Sequence, residues 1–298
     1  MDYAKSAGVD LKRQKTGGLA GGPPSGPILL EQVAGPNRGL AATSLAAIAA
    51  LSSLIAPPAR AQSADDFARL VAAYPTFLDR IDGNFLVWKD GKTRTAIDDG
   101  KGAKDHEARL ATSDIKDMFT QRYVAGKPDA PPALNVDPGR ARNAALFDTM
   151  YGDCMKGGVA GNLVEVVWLP KKWGQTLKVT RINGVAEKLK MVSAELDELP
   201  TDKDVFLKPP AGTYNCRPIA GTNRVSAHGH GIAVDIAIGR AHYWRWDGGK
   251  PGAVKSYRNS IPFEIVEIFE RHGFIWGGKW YHYDTMHFEY RPELLPAK

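Results

Sequence analysis

Two short segments in the last third of the chain hold side chains that could grip one divalent cation and move a proton beside it. The first is Ser226-Ala-His228-Gly-His230-Gly231-Ile-Ala233-Val-Asp235; the second is Asp284-Thr-Met-His287-Phe288-Glu289. Zinc takes imidazole nitrogen and carboxylate oxygen, usually in a tetrahedron, and a catalytic site keeps one corner open for water. His228, Asp235 and His287 would fill three corners of a single zinc site, one ion per chain. Asp284 lies three residues before His287, close to the cation without needing to touch it. There it would take a proton from the water that zinc acidifies and pass it to a leaving amine. Either segment alone is compatible with a turn histidine and a surface carboxylate. Both together, in this order and about fifty residues apart, are not easily explained that way.

Other groups around these segments have chemical uses. Glu289 is two residues beyond His287, so on a strand it shares that face and could hold a ligand imidazole; a surface ion pair is the alternative. His230 and His282 flank the proposed ligands, as alternative ligands, transition-state donors or polar rim residues. Arg217 and Arg224 precede His228, and a fixed guanidinium could hold a substrate carboxylate or a developing oxyanion. Arg217, next to Cys216, is the stronger catalytic candidate. Ser226, Trp280 and His230 are the candidates for substrate contact, with Trp276, Tyr281 and Tyr283 as possible cleft walls or plain core. His106 and His272 read as incidental, one in a polar loop and one ending a helix.

Regular elements must bring the two segments together. Alternation along residues 231–238 predicts a strand with Ile232, Val234, Ile236 and Ile238 facing a core. Gly231, Ala233, Asp235 and Ala237 then face the other way, leaving room for a metal and a substrate. Further strands are predicted at 163–169, 177–182, 274–276 and 287–290, and helices at 140–151, 185–199 and from Pro262 to about His272. Upstream, apolar spacing predicts a helix over 64–83, then a hairpin of 85–88 and 93–97 turning at Asp90-Gly91. Residues 98–110 read as loop, and 128–138 as an extended Pro-rich segment. Strands and helices mix without regular alternation, which predicts an α+β fold.

The pattern Ser226-x-His228-x-x-Gly231-x-Ala233-x-Asp235, followed by Asp284-x-x-His287, resembles the zinc D-alanyl-D-alanine carboxypeptidase and L-alanyl-D-glutamate endopeptidase family. The resemblance covers residues 210–298, with 140–210 agreeing in layout and 62–139 matching nothing. It implies one zinc held by His228, Asp235 and His287, with Asp284 as general base. It also implies a hedgehog-type fold, a small antiparallel sheet cradling the metal with helices behind it. The implied substrates are peptide stems of bacterial peptidoglycan. Asp at the base position, between Trp276-Gly-Gly and His287-Phe-Glu289, is more like the endopeptidase and phage-lysin branch. The competing functions are a non-catalytic wall-binding module that keeps its zinc, and a zinc peptidase for ordinary L-peptides.

Composition agrees with an exported globular protein. The 298 residues carry a formal charge of +6, with no basic stripe of the kind that nucleic-acid binders show. Residues 40–55 are uncharged and Ala59-x-Ala61 suits a signal peptidase, so residues 1–61 read as a leader and secretory signal cleaved after Ala61. No stable membrane anchor is expected after cleavage, and the expected location is the periplasm. The remaining layout is an N-terminal accessory region at 62–139 and a metallopeptidase domain at 140–298. The two cysteines, Cys154 and Cys216, form an even pair that suggests a disulfide in an oxidising compartment. Oligomeric state is not legible in the sequence.

Overall fold

The computed structural model describes residues 64–296; the predicted leader and signal lie outside them. The N-terminal part is a helix, α1 (Ala64–Ala73), followed by a three-stranded antiparallel sheet in the order β1 (Leu78–Asp82), β2 (Phe85–Trp88), β3 (Arg94–Ala96). The predicted helix over 64–83 is therefore too long. Pro75 disfavours helical backbone at Tyr74, and residues 78–82 pair with β2 instead. The hairpin forms as expected. Within the predicted loop over 98–110, Asp105 accepts a hydrogen bond from the Ala108 amide and starts α2 (His106–Ala111). The Pro-rich segment 128–138 carries no helix or strand, as expected.

Asn143 caps α3 (Ala144–Tyr151) through the Leu146 amide. A two-stranded antiparallel sheet follows, β4 (Leu163–Trp168) with β5 (Gln175–Thr180). On β4 lies α4 (Val185–Asp197), whose Ser193 hydroxyl donates to the Val167 carbonyl and accepts from the Leu169 amide. A short α5 (Asp204–Leu207) leads to the last sheet, ordered β6 (Ala233–Asp235), β8 (His287–Tyr290), β7 (Phe274–Trp276), all antiparallel. Its apolar face packs on α6 (Phe263–Arg271), where Phe269 stacks on Phe288 with ring centroids 3.8 Å apart. Pro262 caps α6 rather than opening its first turn. The architecture is α+β, built on small antiparallel sheets.

The strand predicted over 231–238 is regular only at 233–235. Gly231 has φ +69°, and a Cβ there would come within 2.9 Å of the Thr180 nitrogen, so only glycine lets this turn press against β5. Beyond Ala237 the chain turns into a 3₁₀ segment at Ile238–Arg240. Among the described residues no helix is long and apolar enough to cross a membrane.

The region before residue 140 is tied to the later elements by buried polar contacts. Tyr74 donates to Glu293, Tyr123 donates to Glu270, and the Lys279 ammonium donates to the Val124 and Gly126 carbonyls. Cys154 and Cys216 form the expected disulfide, with Cα atoms 5.7 Å apart. It closes a long loop next to the turn carrying His228. Replacing both cysteines by serine is expected to lower stability by roughly 2–4 kcal/mol, read as a lower denaturant midpoint.

Candidate metal centre

Register alone makes Asp235 and His287 neighbours: they are direct partners across β6 and β8, as are Ala233 and Glu289. Side chains alternate along a strand, so Asp235, His287 and Glu289 share the face opposite Phe288. His228 arrives from the 3₁₀ turn Ala227–His230, which Ser226 caps by accepting from the His228 amide. The three groups meet at one point. His228 Nε2 lies 3.2 Å from His287 Nδ1 and 3.2 Å from Asp235 Oδ1, and His287 Nδ1 lies 3.0 Å from Asp235 Oδ1. Ligands on a tetrahedral zinc at its usual bond lengths are about 3.3 Å apart, so this triangle has the dimensions of one tetrahedral face.

The outer ring nitrogens are also fixed. His228 Nδ1 lies 2.5 Å from the Thr213 carbonyl oxygen, which only accepts, so Nε2 keeps its lone pair for the centre. His287 Nε2 lies 3.1 Å from Glu289 Oε2, which leaves Nδ1 as its inner atom in the same way. Glu289 is fully buried, which excludes the surface ion pair allowed by the sequence, and it also binds Arg142 at 2.9 Å and Arg291 at 3.0 Å. Burial opposes ionisation of Glu289, yet Arg142, His287 and Arg291 hold its carboxyl well below the usual range. Burial likewise opposes charge on His287, but Asp235 and Glu289 raise it to about 10. A cation entering this site must therefore displace a proton.

Asp284 stands beside the triangle. Burial, then the charge of Asp235, push its carboxyl up to about 7, against the pull of His287 and Arg140. Its Oδ1 is buried with no hydrogen-bond donor on it. That combination of a raised pKa and an oxygen left open suits a proton acceptor.

Among the described residues two other clusters have the makings of a metal site: His106, Asp137 and His282, and Asp98, Asp99 and Asp114. In the first, the Gly252 amide donates to His282 Nε2, so His282 Nδ1 carries the proton and gives it to Asp137 at 2.7 Å. That nitrogen has no lone pair to offer. In the second, the Lys104 ammonium already sits 3.1 Å from Asp99 and 3.3 Å from Asp114. The His228, Asp235 and His287 group fits a cation best.

The remaining predicted residues fall as follows. Trp280 has its ring 5.5 Å from that of His287, with its indole nitrogen donating to the Pro138 carbonyl. His230 is buried and turned away from the triangle, 2.8 Å from Asp148 Oδ1, rather than on a polar rim. Ser226 caps the ligand turn. Arg217 acts electrostatically on Tyr243, whose backbone bridges to Asp284. His106 and His272, which the sequence left without a role, each have structural partners. His106 stacks on His282 with ring centroids 5.3 Å apart and faces Asp137, and His272 pairs with Glu195.

Residues 220–290 match the model of a family described as D-alanyl-D-alanine carboxypeptidase. It is the family that the two motifs resemble. The carboxypeptidase match spans His228, Asp235, Asp284 and His287 and stops short of Arg140 and Arg142. No curated protein and no solved structure gave a significant match.

Sequence reasoning missed two arginines. Arg140 lies over Trp280, 5.6 Å from the ring centroid, is held by Asp137 at 3.0 Å, and helps to keep Asp284 charged. Arg142 grips Glu289. Two arginines just before a helix N-cap are out of place electrostatically, since that end favours anions; this was the available signal. Removing the charge of Glu289 tests its hold on His287. Glu289→Gln is expected to weaken zinc binding about 10- to 100-fold in a chelator competition.

Proposed function

We propose that this protein is a zinc-dependent peptidase that hydrolyses peptide bonds in peptidoglycan stem peptides outside the cytoplasm, as a carboxypeptidase or endopeptidase. The observation that carries the reading is the triangle of His228, Asp235 and His287 inside a carboxypeptidase-family match, with the orphaned carboxylate oxygen of Asp284 beside it. His228 Nε2, Asp235 Oδ1 and His287 Nδ1 would hold the ion. When bound, zinc supplies a Lewis acid and lowers the pKa of water toward neutrality. Asp284 takes the proton of the attacking water and returns it to the departing amine, so one carboxyl serves both halves of the hydrolysis. Glu289 keeps His287 in the required tautomer, and Thr213 does so for His228. Arg140 and Arg217 bring positive charge to the side where the carbonyl oxygen gains negative charge.

The test is a digest of defined muropeptides by zinc-loaded protein, read by mass spectrometry beside a casein control. Release of a stem-peptide fragment, with casein left intact, is the expected result, and the masses name the bond. Sacculus binding without any soluble product would replace the enzyme with a wall-binding module; casein cleavage alone would replace the substrate class.

A further inference from the structure

The long loop between β6 and α6 runs beside Asp284. Its backbone is pinned to the segment that carries this carboxylate. The Thr285 amide donates to the His242 carbonyl, Tyr243 bridges to Asp284, and the Trp244 amide donates to the Tyr283 carbonyl. Further out, the Val254 amide donates to the Tyr281 hydroxyl, and the Tyr257 hydroxyl donates to the Gly278 carbonyl. These bonds make the loop a fixed rim of the candidate site.

The rim holds a local excess of positive charge. Residues 62–298 carry 33 basic and 30 acidic side chains, and residues 240–258 hold five of the first against one of the second, so elsewhere the charges nearly cancel. All five cations, Arg240, Arg245, Lys250, Lys255 and Arg258, are exposed. The lone acid, Asp247, is already engaged: Arg258 donates to Oδ1 at 3.0 Å and the Tyr283 hydroxyl to Oδ2 at 2.7 Å. Among the described residues no carboxylate pairs with Arg240, Arg245, Lys250 or Lys255. The Lys255 ammonium lies over Gly248, where a Cβ would come within 3.1 Å of it, so it gathers with Arg258 at the turn that carries Arg245 and Trp246. Like charges massed on one surface repel each other and attract a polyanion. Trp246 stands among them, 44% exposed, with its ring edge-on to Tyr243 at 5.8 Å between centroids. An indole left in water offers a large flat apolar face that fits the CH face of a sugar ring.

We propose that residues 240–258 dock the intact peptidoglycan polymer, with Trp246 against a sugar ring and Arg245, Lys250 and Lys255 facing the acidic peptides of the surrounding mesh. The proposal rests on the peptidase reading and extends it: the protein takes a stem still joined to the wall in preference to a free muropeptide. Cations around an aromatic ring also suit single-stranded nucleic acid. The place of the loop beside Asp284, within the carboxypeptidase-family match, favours the wall polymer.

The experiment separates docking from hydrolysis. Zinc-loaded Asp284→Asn protein is sedimented with purified sacculi, which it leaves uncut. Adding Lys250→Glu and Lys255→Glu together is expected to weaken this binding about 10-fold, the combined effect of several exposed charge pairs. Raising the salt from about 0.05 to about 0.5 M should weaken the parent protein and have much less effect on that variant. Trp246→Ala should weaken binding at both salt concentrations. With Asp284 restored, the double lysine variant should lose about 10 times more activity on sacculi than on a soluble muropeptide. Unchanged binding in either loop variant, indifference to salt, or stronger retention by single-stranded DNA than by sacculi overturns the proposal. Hydrolysis of neither substrate by the wild-type protein would end the peptidase reading and leave the sedimentation result standing, so the two failures are distinguishable.

Discussion

Asp284→Asn is expected to bind zinc at one ion per chain and to hydrolyse muropeptides about 10²- to 10⁴-fold more slowly. The substitution keeps the shape of the side chain but removes its ability to take a proton. None of the three groups in the triangle depends on it for position: Asp235 and His287 are set by strand register, and His228 by a capped turn. The effect should therefore fall on kcat with zinc content unchanged. Metal analysis beside steady-state kinetics checks this, and near wild-type turnover would remove Asp284 from its role. The same substitution should change the pH profile. A base acts when deprotonated, so activity rises with pH through its pKa. Burial and Asp235 set Asp284 at about 7 in the metal-free protein. A cation on Asp235 offsets that push, so the acid limb of the loaded enzyme is expected below 7 and should be absent in Asp284→Asn.

The second large effect is expected from His228→Ala. Here zinc and hydrolysis should disappear together. The change removes one of three ligand atoms and leaves the buried Thr213 carbonyl without its 2.5 Å partner. Loss of a group that merely orients a ligand costs about 10- to 100-fold in metal affinity, so loss of the ligand itself should exceed about 100-fold. Zinc content after dialysis, with a thermal melt to show that the protein is folded, decides it. Retention of stoichiometric zinc would mean that the ion is held elsewhere.

The parts of the site that lie on regular strands were legible in the sequence. Asp235, His287 and Glu289 follow from alternation plus one assumption, that the two motif strands pair. Their pairing also explains why the helices fall behind the sheet, since Phe288 must face away from His287. What was not legible depends on chain segments far apart in sequence. Arg140 and Arg142 reach the centre from a stretch with no motif. The contacts of His106 arise only because α2 delivers it to Asp137 and His282. The helix over 64–83 failed for a local reason, since apolar spacing alone does not register that Pro75 interrupts it. Strand 231–238 was overextended because alternation of small and apolar residues runs on to Ile238, past the end of the regular strand at Asp235.

The order β6-β8-β7 places the latest of the three strands in the middle. Until residues 287–290 are delivered, Ala233–Asp235 and Phe274–Trp276 have no shared partner, and the trio of coordinating groups lacks a member. A ribosome-bound chain ending before His287 is thus expected to be inert toward peptide bonds, however well its earlier helices have formed. Synthesis from the amino end therefore leaves the candidate site unassembled until residues 287–290 have been made.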